Sequence, residues 1–223
     1  MEHLVFPSAD HLATAAAAFI ANEIATSDQV LLGLAGGSTP MATYRRLAAM
    51  PIDWNGVTSW MTDERWVSPR DADSNQAMVR ESLDTIGRIR FLAPNTRLRY
   101  PTAAARRMTR SMGCLMNRRP SRSVTLLGMG DDGHTASLFP GTRALSIEGA
   151  VYVANWVPHL DTWRLTASLS MLAASDVVLF LVVGENKAEV VAQIAAGDDY
   201  PAGGVKAGER VLWMLDEGAA SLL

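Results

Sequence analysis

Six apolar runs, at residues 29–35, 57–62, 123–129, 151–157, 176–183 and 210–215, recur along the chain with helix-like stretches between them, and this alternation restricts the fold more than any other feature. Runs such as VVLFLVV are rich in the β-branched and aliphatic side chains of buried strands. The intervening stretches are 9–25, 40–50, 73–86, 103–117, 169–174 and 185–196, and several place apolar residues three and four apart, the period of a helix with one buried face. Strand followed by helix, repeated, predicts an α/β fold with a mostly parallel central sheet flanked by helices. The first strand is expected near Gln29, with one helix ahead of it.

A length of 223 residues with 48% hydrophobic and 19% charged residues suits one domain over 1–223. No apolar run approaches the roughly 18 residues of a membrane span, and the start MEHLVFPSAD lacks the basic and apolar segments of a secretory signal, so a soluble cytoplasmic protein is expected. Cys114 is the only cysteine, which excludes an internal disulfide and a cysteine-based zinc cluster and leaves a buried structural thiol as the expectation. A formal charge of −3 offers no general attraction to nucleic acid; the expected partner is a small molecule, with anions held by local cations. Oligomeric state is not legible. The segment 88–122 carries ten arginines, which could serve a phosphate ligand, although a solvated face is the plainer reading.

In α/β folds ligands sit at strand ends, so the turns after the apolar runs are the places to look. GMGDDGHTASLFPG, from Gly128 to Gly141, sets His134 in a glycine-rich turn directly after a strand. Gly128, Gly130 and Gly133 satisfy G-x-G-x-x-G, but Asp131 and Asp132 would repel a pyrophosphate and Pro140-Gly141 cut short the helix a dinucleotide requires. The alternative is a catalytic turn. Its glycines would bring backbone amides to a substrate carbonyl, while His134, beside Asp132 and kept neutral by a helix N-terminus, accepts a proton from water. No HExxH spacing supplies metal ligands and no G-x-S-x-G elbow supplies a serine nucleophile.

LLGLAGGSTP runs from a strand into Gly36 and Gly37, then into a helix expected to begin near Thr39 and Pro40 with a Ser or Thr cap. Close backbone amides, the helix dipole and the Ser38 and Thr39 hydroxyls suit a phosphate, although a plain tight turn would use the same glycines. TDERWVSPRDADSN places Asp63, Glu64 and Arg65 at another strand end, where acids can hold hydroxyls or orient a base; a surface ion-pair cluster is the other reading. Asp73-Ser74-Asn75 looks like cap chemistry for the next helix. Arg164, in WRLT, is expected just before a helix, and Lys187, in GENKA, in a helical first turn, where a cation opposes the dipole and calls for an anion.

Taken in order, GGSTP, DER with DSN, LLGMGDDGHTASLFPG, WRLT and GENKA resemble the 6-phosphogluconolactonase family, within the wider group that includes glucosamine-6-phosphate deaminases. The deaminases instead resemble GHIAFNEP where this chain has GHTASLFPG. The resemblance implies a Rossmann-like three-layer fold and hydrolysis of 6-phospho-D-glucono-1,5-lactone without metal or nucleotide cofactor. By position, Gly36, Gly37, Ser38 and Thr39 would hold the phosphate with Lys187 and Arg164, and with Arg65 as a further contact. His134 would be the base, and Asp63 and Asp132 would orient water, the imidazole or sugar hydroxyls. One departure is Ser123-Val124-Thr125, where the family usually has an acidic or aromatic lead such as FDLVLLG. The alternatives are an amino-sugar-phosphate isomerase or deaminase and a non-catalytic sugar-phosphate sensor; such sensors usually carry a helix-turn-helix domain, for which a first strand near Gln29 leaves no room.

Overall fold

The computed structural model describes residues 1–83, 89–118 and 120–223. Its strands are β1 (Glu2–Phe6), β2 (Val30–Leu34), β3 (Val57–Met61), β4 (Asp63–Arg65), β5 (Arg90–Leu92), β6 (Arg122–Leu127), β7 (Tyr152–Val157), β8 (Thr162–Ala167), β9 (Val177–Val182) and β10 (Arg210–Asp216). The α-helices are α1 (Ala9–Ala25), α2 (Ser38–Ala48), α3 (Asn75–Ser82), α4 (Pro101–Met116), α5 (Leu169–Ala173) and α6 (Ala188–Ala196). Seven strands form one sheet in the order β1-β10-β9-β6-β2-β3-β5, and every neighbouring pair runs parallel.

Both faces of that sheet are covered, which is why its strands read as unbroken apolar runs. On β9, Val177, Leu179 and Leu181 join a core with Leu12 and Ile20 of α1, Tyr44 and Leu47 of α2 and Val79 of α3. The alternate residues Val178, Phe180 and Val182 join a second core with Met108 and Met112 of α4, Val191 and Ile194 of α6, and Leu165 of β8. The two-residue period of the strand therefore feeds two cores, one per face. Each buried Leu, Val or Phe contributes about 1.5–3 kcal/mol through removal from water.

Several expectations change. The first strand is β1, not the run near Gln29; it is a short edge strand whose residues are mostly exposed, so it lacks a continuous apolar signature. The run 151–157 is a strand, but it belongs to a separate antiparallel sheet ordered β4-β8-β7. WRLT lies inside β8 rather than ahead of a helix. The helix expected over 73–86 is α3, and residues 84–86 lie outside the described residues, as do Arg88 and Arg119 of the arginine-rich segment. Cys114 is exposed, on the outer side of α4, and is no core thiol. No helix among the described residues is long and apolar enough to cross a membrane.

Topology fixes where a ligand can go. From β2 the chain proceeds to β3 on one side, while β6 lies against the other side of β2 and leads on to β9. The order reverses between β2 and β6, and crevices at such reversals, outside the carboxyl ends of the strands, are the usual ligand sites. Thr62 joins the small sheet to this edge: its amide donates to the Leu34 carbonyl at 2.9 Å, and its own carbonyl accepts from Ala167 at 2.8 Å.

Candidate active site

Four loops leave the carboxyl ends of the adjacent strands β9, β6, β2 and β3, and they converge on a pocket of about 400 Å³. Gly36, Gly37, Ser38, Thr39, Asp63, Arg65, His134 and Lys187 all line it. A second hollow shares Asp63, Arg65, His134 and Lys187 with the first and adds Asp132, Arg164, Ser137, Phe139 and His159. The two are continuous parts of one cleft. Arg164 borders only the second part, and so does Asp132.

After β2, Gly37 is the N-cap of α2 at φ 108°, a backbone conformation natural to glycine, and it makes no side-chain cap bond. The helix thus begins at Ser38, a turn position earlier than expected, and neither Ser38 nor Thr39 caps it. The first amides of α2 have no partner within the helix, and the residues that carry them line the cleft, an arrangement that suits an anion. Gly36 is needed for closeness: a Cβ there would lie 2.0 Å from Asn75 Oδ1. Tyr44, buried on α2, donates to the Ala35 carbonyl at 2.9 Å and so ties the loop to its own helix. Burial pushes the Tyr44 hydroxyl up, well above the ordinary phenol range, so it stays a donor.

After β6, no helix begins near His134, and the dipole expected to keep its ring neutral is absent. Its immediate partner is a carboxylate instead: Nδ1 lies 2.6 Å from Asp132 Oδ1, which also accepts the His134 backbone amide at 3.1 Å. Partial burial opposes ionisation of Asp132, but the amide and ring hydrogen bonds of His134 prevail and hold its carboxyl below the usual range. An ionised carboxylate only accepts, so in the neutral ring Nδ1 carries the proton and Nε2 the lone pair. The Phe139 ring stacks on the imidazole at 4.0 Å between centroids, and the His159 ring meets Phe139 edge-on at 5.4 Å. Of the turn's amides, that of Gly130 donates to the His134 carbonyl at 2.8 Å and that of Gly133 to the Gly130 carbonyl at 3.1 Å. These two amides serve the turn itself and are not free to meet a substrate.

After β3, the acidic triplet separates by role. Asp63 lines the cleft and accepts from Ser137 Oγ at 2.7 Å and Asn75 Nδ2 at 3.2 Å. Glu64 is fully buried and turns into the fold, accepting from the amides of Arg65, Asn75 and Gln76 and from Ser74 Oγ. Burial raises its carboxyl above the usual range, against the opposing effect of those amides. It is therefore neither a substrate acid nor part of a surface ion pair. Ser74 caps α3 through the Ala77 amide at 3.3 Å, as its sequence position suggests.

Arg65 on β4 faces Arg164 on β8 in register. Burial and then the like charge of Arg65 lower Arg164 below the ordinary guanidinium range, and its buried Nε has no hydrogen-bond partner among the described residues. Two facing cations in a partly dry wall favour an anion between them. Lys187 lies at the N-cap of α6, after the short turn Glu185–Lys187, and its Nζ pairs with Asp131, which also accepts from Asn186 Nδ2 at 3.0 Å. The anion that Lys187 calls for is here Asp131, whose carboxyl that ammonium holds below the usual range.

Sequence reasoning missed Asn75, Ser137, Phe139, His159 and Asn186 as cleft residues. Ser137 and Phe139 carried a signal, since both fall within SLFP after His134; Asn75 was hidden behind its cap position. Among the described residues no group of three or more His, Cys, Asp or Glu side chains is placed to hold a metal ion.

The family model described as glucosamine-6-phosphate isomerases/6-phosphogluconolactonase matches residues 7–213. A 6-phosphogluconolactonase of Nostoc sp. (strain PCC 7120) is 34% identical over 206 residues, covering 86% of this chain and 84% of the relative. One from Pseudomonas aeruginosa is 34% identical over 197 residues, covering 84% and 81%. The solved structure of 6-phosphogluconolactonase from Trypanosoma brucei superposes with a TM-score of 0.84 at 27% identity, covering 100% of this chain and 98% of that one.

Proposed function

The chain belongs to the family of glucosamine-6-phosphate isomerases and 6-phosphogluconolactonases, and on that premise we propose that it hydrolyses 6-phospho-D-glucono-1,5-lactone to 6-phosphogluconate with His134 as general base. One observation carries the reading: the His134–Asp132 pair and the Gly36–Thr39 bend, from separate loops, border one cleft that Lys187 also lines. A cleft bordered by both suits a substrate with a dianion at one end and an electrophilic carbonyl at the other.

The phosphate is held by the amides and hydroxyls of Gly36, Gly37, Ser38 and Thr39, by Lys187, and by Arg164 and Arg65 from the small sheet. On binding, the phosphate takes the place of Asp131 at the Lys187 ammonium. Nε2 of His134 removes a proton from a water that attacks the lactone carbonyl, and Asp132 stabilises the resulting imidazolium. The tetrahedral oxyanion then collapses, the ring C–O bond breaks, and the ring oxygen leaves with a proton returned from His134. General-base help of this kind is worth roughly 100- to 10,000-fold. Asp63, fixed by Ser137 and Asn75, orients sugar hydroxyls or the water. No metal or nucleotide is called on for any step.

A pH-stat assay on freshly generated lactone tests this directly. The expected result is acid release well above the spontaneous rate, reduced to near that rate by His134→Ala. Ammonia release from glucosamine 6-phosphate would establish the deaminase reading instead, and phosphate-sugar binding without turnover the sensor reading.

A further inference from the structure

From Thr85 to Gly130 the chain has no acidic residue, and these 46 residues hold ten of its 20 basic ones, all arginine. The other 177 residues carry ten basic and 23 acidic residues, a formal −13 in a chain that totals −3. Charge is therefore strongly segregated. Arg122 is absorbed by ion pairs with Glu23 and Glu209. By contrast, Arg97, Arg99, Arg106, Arg107, Arg110 and Arg118 are exposed and form no ion pair among the described residues.

Three of them share a groove of about 580 Å³. Arg106, Arg107 and Arg110 line it together with Leu98, Ala103, Ser111 and Cys114. Arg107, Arg110, Ser111 and Cys114 follow one face of α4 at three- and four-residue spacing. Leu98 extends that face into the preceding loop, where Arg97 and Arg99 flank it. None of the groove residues borders the catalytic cleft, so an occupant would leave the cleft open.

We propose that this groove is a docking site for a short acidic peptide segment of a partner protein. Guanidinium groups pair with carboxylates through two parallel hydrogen bonds, and Leu98 and Ala103 add apolar floor for the segment's other side chains. The charge segregation selects for a short ligand. A nucleic acid or an anionic membrane extends past the groove over a chain whose other 177 residues carry a formal −13, which disfavours a long polyanion. A peptide of a few residues meets the arginines alone.

The test uses fluorescein-labelled tetraglutamate on the whole protein, with Cys114 as a built-in reporter because it is the only thiol. Tetraglutamate is expected to bind, to weaken at least about tenfold between low and high salt, and to slow the reaction of Cys114 with a neutral pyridyl disulfide. Binding should fall at least about tenfold in the variant carrying Arg106→Gln, Arg107→Gln and Arg110→Gln and persist in the corresponding lysine variant, with lactone turnover unchanged in both. Absence of binding, equal binding by the glutamine variant, no protection of Cys114, or tighter capture of a ten-residue oligothymidylate or of phosphatidylserine vesicles through the same arginines would each overturn the proposal.

Discussion

His134 and Asp132 stand two residues apart, and the imidazole Nδ1 of one meets the carboxylate Oδ1 of the other at 2.6 Å. This contact fixes the tautomer, and the Phe139 ring stacked at 4.0 Å fixes the plane, so the free Nε2 has one direction in which to act. Asp132→Asn keeps the size of the side chain but offers a donor as well as an acceptor. Its kcat is expected to fall by about tenfold or more, within the roughly 100- to 10,000-fold range of general-base help, with KM little changed. Steady-state kinetics on the lactone check this; an unchanged kcat would remove Asp132 from the mechanism.

The same residue gives a stability prediction. Its folded-state carboxyl lies below the ordinary range, so it contributes stability above the unfolded value of about 3.9 and loses that contribution as pH falls through the folded value. Wild type should thus lose more stability than Asp132→Asn between pH 6 and pH 3. Urea midpoints measured across that interval decide the matter, and parallel curves would contradict it.

Gly130 is a second point of leverage. A Cβ there would lie 2.1 Å from His134 Nδ1 and 2.7 Å from Asp132 Oδ1. Because its φ is not among the positive values, Gly130→Ala carries no backbone strain, and the ring must move instead. The expected outcome is a loss of kcat of at least about tenfold with a small change in Tm. A large Tm loss with normal kcat would show that the turn, rather than the imidazole, absorbs the methyl group.

Lys187→Ala should raise KM with kcat much less affected, since it removes anchoring at the far end of the substrate. In the same variant the Asp131 carboxyl, freed from the ammonium, should return toward the usual carboxylate range, which NMR titration of Asp131 can follow.

Tyr44→Phe leaves the buried Ala35 carbonyl without its donor. Stability should fall by about 0.5–1.5 kcal/mol, and KM should rise because Ala35 leads into the Gly36-Gly37 bend. Denaturant melts and kinetics on the same preparation check both.

The amino-acid pattern reveals the parallel sheet, because strands buried on both faces must be apolar at every position, as VVLFLV is. It also marked the strand-end loops, since glycines, caps and charged residues interrupt the apolar pattern there. It was silent on β1 and β5, edge strands too short to carry a pattern, and on β4 and β8, whose pairing joins residues about a hundred positions apart. It took folding to turn Glu64 inward while Asp63 faces the cleft, to bring Asp131 to the Lys187 ammonium, and to partner His134 with Asp132 rather than with a helix dipole. Adjacent carboxylates are alike in sequence; which way each points is set by the donors that distant segments bring to it, and those donors exist only once the chain has folded.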